Sequence, residues 1–225
     1  MATIEAERTG APEHATTSER QAWVRSRHAA CVAELMARGV DFPVAWDVAV
    51  AIVAHWVRES GWGRKEWNFN IGNMRKGRGW TGDVHLLQGG DDPAPAPYRA
   101  YGSLAEGVRN HVGLLTVARY DQVLGALVRS VAAGERSRVR YGGAEFDVVG
   151  DPVTYYRDLM VAGWHPYSDE SLDDYRGVLK TVAAWVGRPD PTAAMVFAGG
   201  VALALVALLR VLSTRTGGTR IGVES

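Results

Sequence analysis

Between Pro43 and Ser60 the chain is apolar on every helical face. Val44, Val48, Ala51, Ile52 and Trp56 recur at helical spacing and make one stripe, and Ala45, Trp46, Ala49, Val50, Val53 and Ala54 fill the other faces. Asp47 is the only charge before Arg58. A helix with no polar side needs protein on most of its circumference, so this segment is expected to run through the middle of a domain. Pro43 suits a first helical turn, and the glycine-rich break after Ser60 ends the run.

The flanking segments read as the layers around that helix. Ser18 and Gln21 have capping-box spacing and open a helix that ends at Gly39, with Trp23, Cys31, Val32 and Leu35 marking its buried side. Residues 64 to 101 are rich in Gly, Asn, Pro and Trp and predict loops with a small, irregular hairpin. Ser103 and Glu106 open a further helix to about Val117, and another runs from Arg119 to Ala133. Val139, Tyr141, Phe146 and Val148 flank Gly142-Gly143, which suits a hairpin, read as a flap. Asp151-Pro152 starts a helix carrying Tyr155, Tyr156, Leu159 and Met160 to Gly163, and Ser171 with Asp174 opens the last one, ending near Gly187. The expectation is a mainly α domain over residues 17–187 with a small β-hairpin lobe.

The ends differ in character. Residues 1–16 are small and polar, lack an apolar central stretch, and read as a disordered arm rather than a secretory signal. Residues 188–191, Arg-Pro-Asp-Pro, form a stiff linker. No charge occurs from Thr192 to Leu209, and the apolar run resumes after Arg210. Residues 192–212 therefore have the length of one transmembrane helix crossing a hydrocarbon core of roughly 30 Å, with 213–225 as a tail. Arg210, Arg215 and Arg220 place that tail in the cytoplasm and the globular domain outside. Without an export signal, two settings fit: a phage-like particle that delivers the domain to the envelope from outside, or a membrane-anchored cell-envelope enzyme. Partners then include the lipid bilayer through residues 192–212 and virion or tail proteins. Formal charge is zero, with 25 basic and 25 acidic residues, which gives nucleic acid no electrostatic handle. The single cysteine, Cys31, excludes an internal disulfide; no Cys or His spacing suits zinc, and neither metal nor cofactor is expected.

Glu59 stands where the rigid central helix meets the glycine break. A carboxyl among apolar and aromatic neighbours has its pKa raised, which keeps it protonated near neutral pH as a general acid requires. Trp56 or Trp62 would supply that surrounding. The bland reading of a glutamate at a helix end is a solvated surface group.

The segments that follow narrow the choice. Glu59-Ser60-Gly61-Trp62-Gly63 is succeeded by Asn68-Phe69-Asn70-Ile71-Gly72-Asn73, by Tyr98-Arg99-Ala100-Tyr101-Gly102-Ser103, and by Arg119-Tyr120. In order and approximate spacing these resemble the glucosaminidase family (glycoside hydrolase family 73-like) of lysozyme-like peptidoglycan hydrolases, over about residues 40 to 187. The resemblance implies an α+β lysozyme-like fold and hydrolysis of the β-1,4 backbone of peptidoglycan strands on the reducing side of N-acetylglucosamine, with Glu59 as general acid. It also implies a second acidic residue in the hairpin lobe. The family's usual Glu is missing, so Asp83, Asp91 and Asp92 are the candidates, each equally readable as a turn former. Trp62, Trp80, Tyr101 and Tyr120 fall to substrate binding, as do Asn68, Asn70 and Asn73, which could instead stabilise left-handed turns. The family's Gly-Tyr motif is replaced by Gly163-Trp164-His165-Pro166-Tyr167. Trp164 or Tyr167 would take the tyrosine's place beside the cleft, or serve the core, and His165 reads as a surface residue. Eight tryptophans fit an aromatic groove for sugar rings. The chemical variant is a lytic transglycosylase, which needs only the acid; the alternative of another class is an inactive lysozyme-like structural or glycan-binding protein.

Overall fold

The apolar run folds as the expected central helix, α2 (Phe42–Ser60), with every residue from Ala51 to Val57 buried. The structure is a computed structural model that describes residues 1–88, 94–117 and 119–188. In chain order the other helices are α1 (Thr17–Ala37), α3 (Leu104–Leu115), α4 (Asp121–Ala132), α5 (Pro152–Val161) and α6 (Asp169–Val186). Helices α1, α4, α5 and α6 pack directly on α2, and α3 packs on α1. Such wrapping explains the absence of a polar stripe: each face of α2 meets another helix rather than water.

Two antiparallel hairpins complete the domain. In the first, β1 (Val84–Leu87) pairs with β2 (Ala96–Arg99), Val84 opposite Arg99; in the second, β3 (Arg136–Tyr141) pairs with β4 (Ala144–Val149). The second hairpin turns through Gly142 and Gly143, both at positive φ (58° and 76°), as a two-residue turn between twisted strands requires. It is not a free flap. Val139 and Val148 belong to the core, and the Tyr141 ring lies so close over Gly177 of α6 that a β-carbon there would meet it at 2.5 Å.

Helix starts shift from the sequence expectation where a nearby hydroxyl makes a better cap. Thr16, not Ser18, caps α1: its side chain accepts from the Glu19 amide, and its own amide donates to Glu19 Oε2 at 2.7 Å. Ser168, not Ser171, caps α6, accepting from the Ser171 amide. Ser103 and Asp151 cap α3 and α5 as read.

Residues 1–16 are not a disordered arm. Thr3 pairs with Val84 and Arg8 with Trp67, so the segment runs along the hairpin lobe. Ala11 and Ala15 are buried in the main core. What holds the segment is Glu66, fully buried, whose carboxylate accepts from Trp23 Nε1 at 2.9 Å, Thr9 Oγ1 at 3.3 Å and the Arg27 guanidinium at 2.5 Å. The Glu66 carbonyl also accepts the amides of Thr9 and Gly10. A polar, glycine-containing stretch stays ordered here because its backbone groups are satisfied by a partner segment far along the chain.

Among the described residues no helix is long and apolar enough to cross a membrane. The span expected at 192–212, the tail at 213–225 and most of the linker lie outside the described residues.

Candidate active site

Glu59 sits in the last turn of α2, which ends at Gly61 in the left-handed conformation (φ 57°, ψ 55°). Ser60 secures the exit: its hydroxyl donates to the Trp56 carbonyl at 2.7 Å and accepts from the Gly63 amide at 2.9 Å. The Asn73 side-chain amide donates to the Glu59 carbonyl at 2.7 Å. The backbone of Glu59 is thus fixed from both the helix and the loop. Its side chain keeps 21% of its surface exposed, enough to be reached by a substrate. Burial raises the carboxyl pKa, against opposing pulls from His165 and Arg58.

The groups that flank Glu59 are histidines, not the expected Trp56 or Trp62. Oε1 lies 3.7 Å from His55 Nε2, one turn back on α2, and 3.7 Å from His165 Nε2. The His55 distance has the geometry of an ion pair, but the ring is fully buried and its pKa lies well below the ordinary value, chiefly through desolvation. His55 is therefore neutral and lends Glu59 no countercharge. His111 on α3, also fully buried, is held at about 3 for the same reason. Trp56 turns inward onto His111, ring centroids 5.3 Å apart, and Trp62 packs on Trp185 of α6 at 5.1 Å.

His165 is held differently. Its Nδ1 is 2.9 Å from the Pro166 carbonyl, which can only accept, so Nδ1 carries the proton. In the neutral ring Nε2 is then the acceptor, and it takes the Tyr156 hydroxyl at 2.8 Å. The Tyr156 ring stacks on Tyr175 at 4.2 Å and 5°, and Tyr175 donates to the Ala51 carbonyl at 3.1 Å. Helices α5, α6 and α2 are locked together directly beneath the imidazole. Arg119 anchors the loop that carries it, donating to the Ala162 carbonyl and, at 3.0 Å, to the Gly163 carbonyl.

The structure brings only part of the sequence-derived set to Glu59. Trp164 rests against His55 at 4.9 Å, His111 at 5.1 Å and Tyr120 at 5.4 Å, so Trp164 and Tyr120 join the aromatic surround of the site. Tyr101 is buried, its hydroxyl donating to Asn110 Oδ1 at 2.9 Å; that occupation removes it from sugar contact. Trp80 packs on Tyr101 at 5.6 Å under the Arg99 guanidinium and donates to the Asp83 carbonyl. Tyr167 is exposed and donates to Asp169 at 2.6 Å, away from the stack beneath His165.

The asparagines serve the backbone. Asn68 (φ 48°) accepts from the Glu7 amide and donates to the Glu5 carbonyl, clamping the N-terminal segment. Asn70 closes a turn on both polar atoms of the Met74 backbone. Asn73 (φ 47°) holds Glu59 as described. All three build the loop. Of the candidate second acids, Asp83 accepts from the Ala2 amide at 2.9 Å, a structural tie, while Asp91 and Asp92 lie outside the described residues. His165 is the residue that sequence reading missed. Its neighbour Trp164 was already placed beside the cleft by the altered motif, which was the available signal.

Among the described residues no three His, Cys, Asp or Glu side chains are arranged to hold a metal ion. A groove of about 790 Å³ lies elsewhere, between the β3–β4 hairpin and residues such as Thr154 and Arg176, and Glu59 does not line it. Chemically, the Glu59 surround can present a protonated carboxyl to a leaving oxygen, with an imidazole within reach of the same carboxyl.

No protein-family model matches the sequence, and no curated protein does. Among solved structures, the chain is similar to the glycoside hydrolase domain of Salmonella typhimurium FlgJ, with 17% identity and a TM-score of 0.49 over 87% of this chain and 98% of that one. It is also similar to a peptidoglycan hydrolase from Sphingomonas sp. A1, with 18% identity and a TM-score of 0.48 over 76% of this chain and 97% of that one.

Proposed function

We propose that this chain is a glycoside hydrolase that cleaves the β-1,4 glycan backbone of peptidoglycan, N-acetylglucosaminidase-type, with Glu59 as the general acid. The observation that carries the reading is the Glu59 carboxyl itself: partly exposed, fixed at the end of a rigid helix, and with its pKa raised by burial. Cleavage of a glycosidic bond needs a proton delivered to the leaving oxygen as the bond breaks, and only a carboxyl still protonated at working pH can deliver it. The substrate class rests on the order of the motifs from Glu59 to Arg119-Tyr120. Trp164, half-buried, offers aromatic surface beside the acid for a sugar ring, and the buried Tyr120 backs it.

Glu59→Gln in a cell-wall clearing assay tests the reading. Loss of general acid catalysis lowers the rate by about 10²–10⁴-fold; a variant that clears walls like the parent removes Glu59 from the mechanism. A parent that clears nothing across varied pH and salt leaves a glycan-binding or structural protein instead. Mass spectrometry of the products separates the chemical variants: a reducing end supports hydrolysis, a 1,6-anhydro end a lytic transglycosylase.

The setting proposed is the bacterial cell envelope with the domain outside the cytoplasm, or a virion or tail component that brings it there, with residues 192–212 in the bilayer. That rests on the apolar run and its flanking arginines alone. Protease treatment of intact spheroplasts checks it, since a protected domain with a cleaved tail inverts the topology.

A further inference from the structure

The β3–β4 hairpin is a sheet of two strands, so each strand keeps one edge without a partner strand. The turn fixes which groups lie on the open edge of β3. Gly142 and Gly143 form a two-residue turn, which makes Tyr141 and Ala144 a hydrogen-bonded pair. Bonded pairs then recur at Val139 with Phe146 and at Ser137 with Val148. The residues between them, Arg138 and Arg140, turn their N–H and C=O groups outward, away from β4. Among the described residues no main-chain or side-chain group bonds those four. The groove of about 790 Å³ runs along this edge. Every residue from 137 to 143 lines it, the positions facing the core and those facing away alike, so the strand edge itself is one wall. Opposite stand Asp151 and Thr154 at the start of α5, and Asp173 and Arg176 of α6.

Charge decides what can lie along the edge. Both arginines are exposed, and on the β4 side they face acids: Arg138 is 3.5 Å from Asp147 and 3.9 Å from Glu145. On the groove side the acids are spent. Asp151 caps α5, accepting from the Thr154 amide at 3.1 Å, and Asp173 is 3.5 Å from Arg176. Arg140 makes no ion pair among the described residues. A second copy added edge to edge would set arginine against arginine, because antiparallel pairing about Val139 brings Arg138 opposite Arg140. Like charges directly opposite are unfavourable. A strand with acids two residues apart meets both arginines, as Glu145 and Asp147 do from the other side.

We propose that the open edge of β3 is a docking site for an extended acidic segment of a partner protein, which adds as a third, antiparallel strand. Main-chain bonds to Arg138 and Arg140 hold the segment, and carboxylates opposite the two guanidiniums select it. In antiparallel addition the residues opposite Arg138 and Arg140 are also those whose own amides face β3, so the acids and the bonding amides fall on the same two residues. The site is separate from the Glu59 surround, since Glu59 does not line the groove, and it stands whether or not Glu59 is an acid catalyst.

The test uses the full chain, amide nuclear magnetic resonance, and a capped hexapeptide whose glutamates are two residues apart among valines. The peptide should slow exchange of the Arg138 and Arg140 amides at least about 10-fold, while those of Val139 and Tyr141, already bonded to β4, change little. Methylating the glutamate amides of the peptide should abolish binding, whereas methylating the amide of the valine between them should not. Arg140→Glu should weaken the acidic peptide at least about 10-fold and favour its lysine counterpart. An acidic peptide that leaves the Arg138 and Arg140 amides exchanging as before overturns the proposal. Equal binding of the acidic and lysine peptides, or of the peptide methylated on its glutamate amides, overturns it too. Amides already protected without peptide, and released on dilution, assign the edge to a second copy and likewise overturn it.

Discussion

The side-chain amide of Asn73 donates to the main-chain carbonyl of Glu59 at 2.7 Å, joining the lobe loop to the last turn of the central helix. That carbonyl lies at the helix end, where intrahelical donors run out, so the bond both satisfies it and aims the side chain that follows. Asn73 is at φ 47°, which asparagine tolerates better than most residues. Asn73→Ala removes the bond and adds strain, whereas Asn73→Gly removes the bond alone. Asn73→Gly is expected to cost about 1 kcal/mol, or about five-fold in rate where the whole loss falls on the transition state. Steady-state kinetics on both variants checks this; a fully active Asn73→Gly would show that the tie does not position the acid.

Glu59 carries a pH signature in activity and a parallel one in stability. Its folded pKa is raised, so the protonated acid persists to higher pH than in a free glutamate, and activity falls as pH rises through the raised value. The same shift means that the folded chain binds this proton more tightly than the unfolded chain does. Its contribution to stability is fully present at pH below the ordinary value of 4.5 and is lost as pH rises through the folded value. Glu59→Gln, which cannot ionise, is therefore expected to melt higher than the parent above that window and close to it below. A calorimetric pH series reads the difference; a variant less stable at high pH would mean that the carboxylate is stabilised in place.

The architecture was legible because burial leaves a mark on local sequence. The all-round apolar stretch around Ile52 pointed to a central helix, and Gly142-Gly143 between alternating residues suited a turn. The site was half legible. Glu59, Trp164 and Tyr120 each belong to a local motif, and the structure gathers them around His55. His165 was passed over because its meaning lies in Tyr156 Oη at 2.8 Å and Glu59 Oε1 at 3.7 Å, and neither distance has a sequence counterpart. Asn68 and Asn70 misled for the complementary reason. Their amides face backbone atoms rather than solvent, and composition cannot tell a loop-builder from a ligand.

The N-terminal segment gives a prediction opposite to the one its composition suggests. Backbone bonds join Ile4 and Ala2 to Val84, the Asn68 amide donates to the Glu7 carbonyl, and the Phe69 amide donates to Thr9 Oγ1 at 2.7 Å. Deleting residues 1–9 leaves those groups without partners in the loop that leads to Asn73. Hydrogen exchange should rise across residues 66–74 and the melting temperature should fall. An unchanged exchange pattern would show that the segment lies on the lobe without supporting it.

Glu66 tests the deepest polar contact in the domain. Its carboxylate is fully buried and takes donors from two segments: Thr9 of the N-terminal segment, and Trp23 and Arg27 of α1. Burying such a pair costs desolvation on both sides, so its net contribution is modest while it is intact. Removing one partner is another matter, because the Arg27 side chain is itself only 9% exposed and cannot turn to water. Glu66→Ala should therefore destabilise by about 3–5 kcal/mol, since a charge is left unpaired in the interior. Glu66→Gln keeps the shape and the acceptor for Trp23 but loses the charge. The double variant Glu66→Gln with Arg27→Met removes both charges and should recover a large part of the loss. Denaturant titration of the three variants measures the set. If the double variant is no more stable than Glu66→Ala, the loss comes from packing around the N-terminal segment and not from the stranded guanidinium.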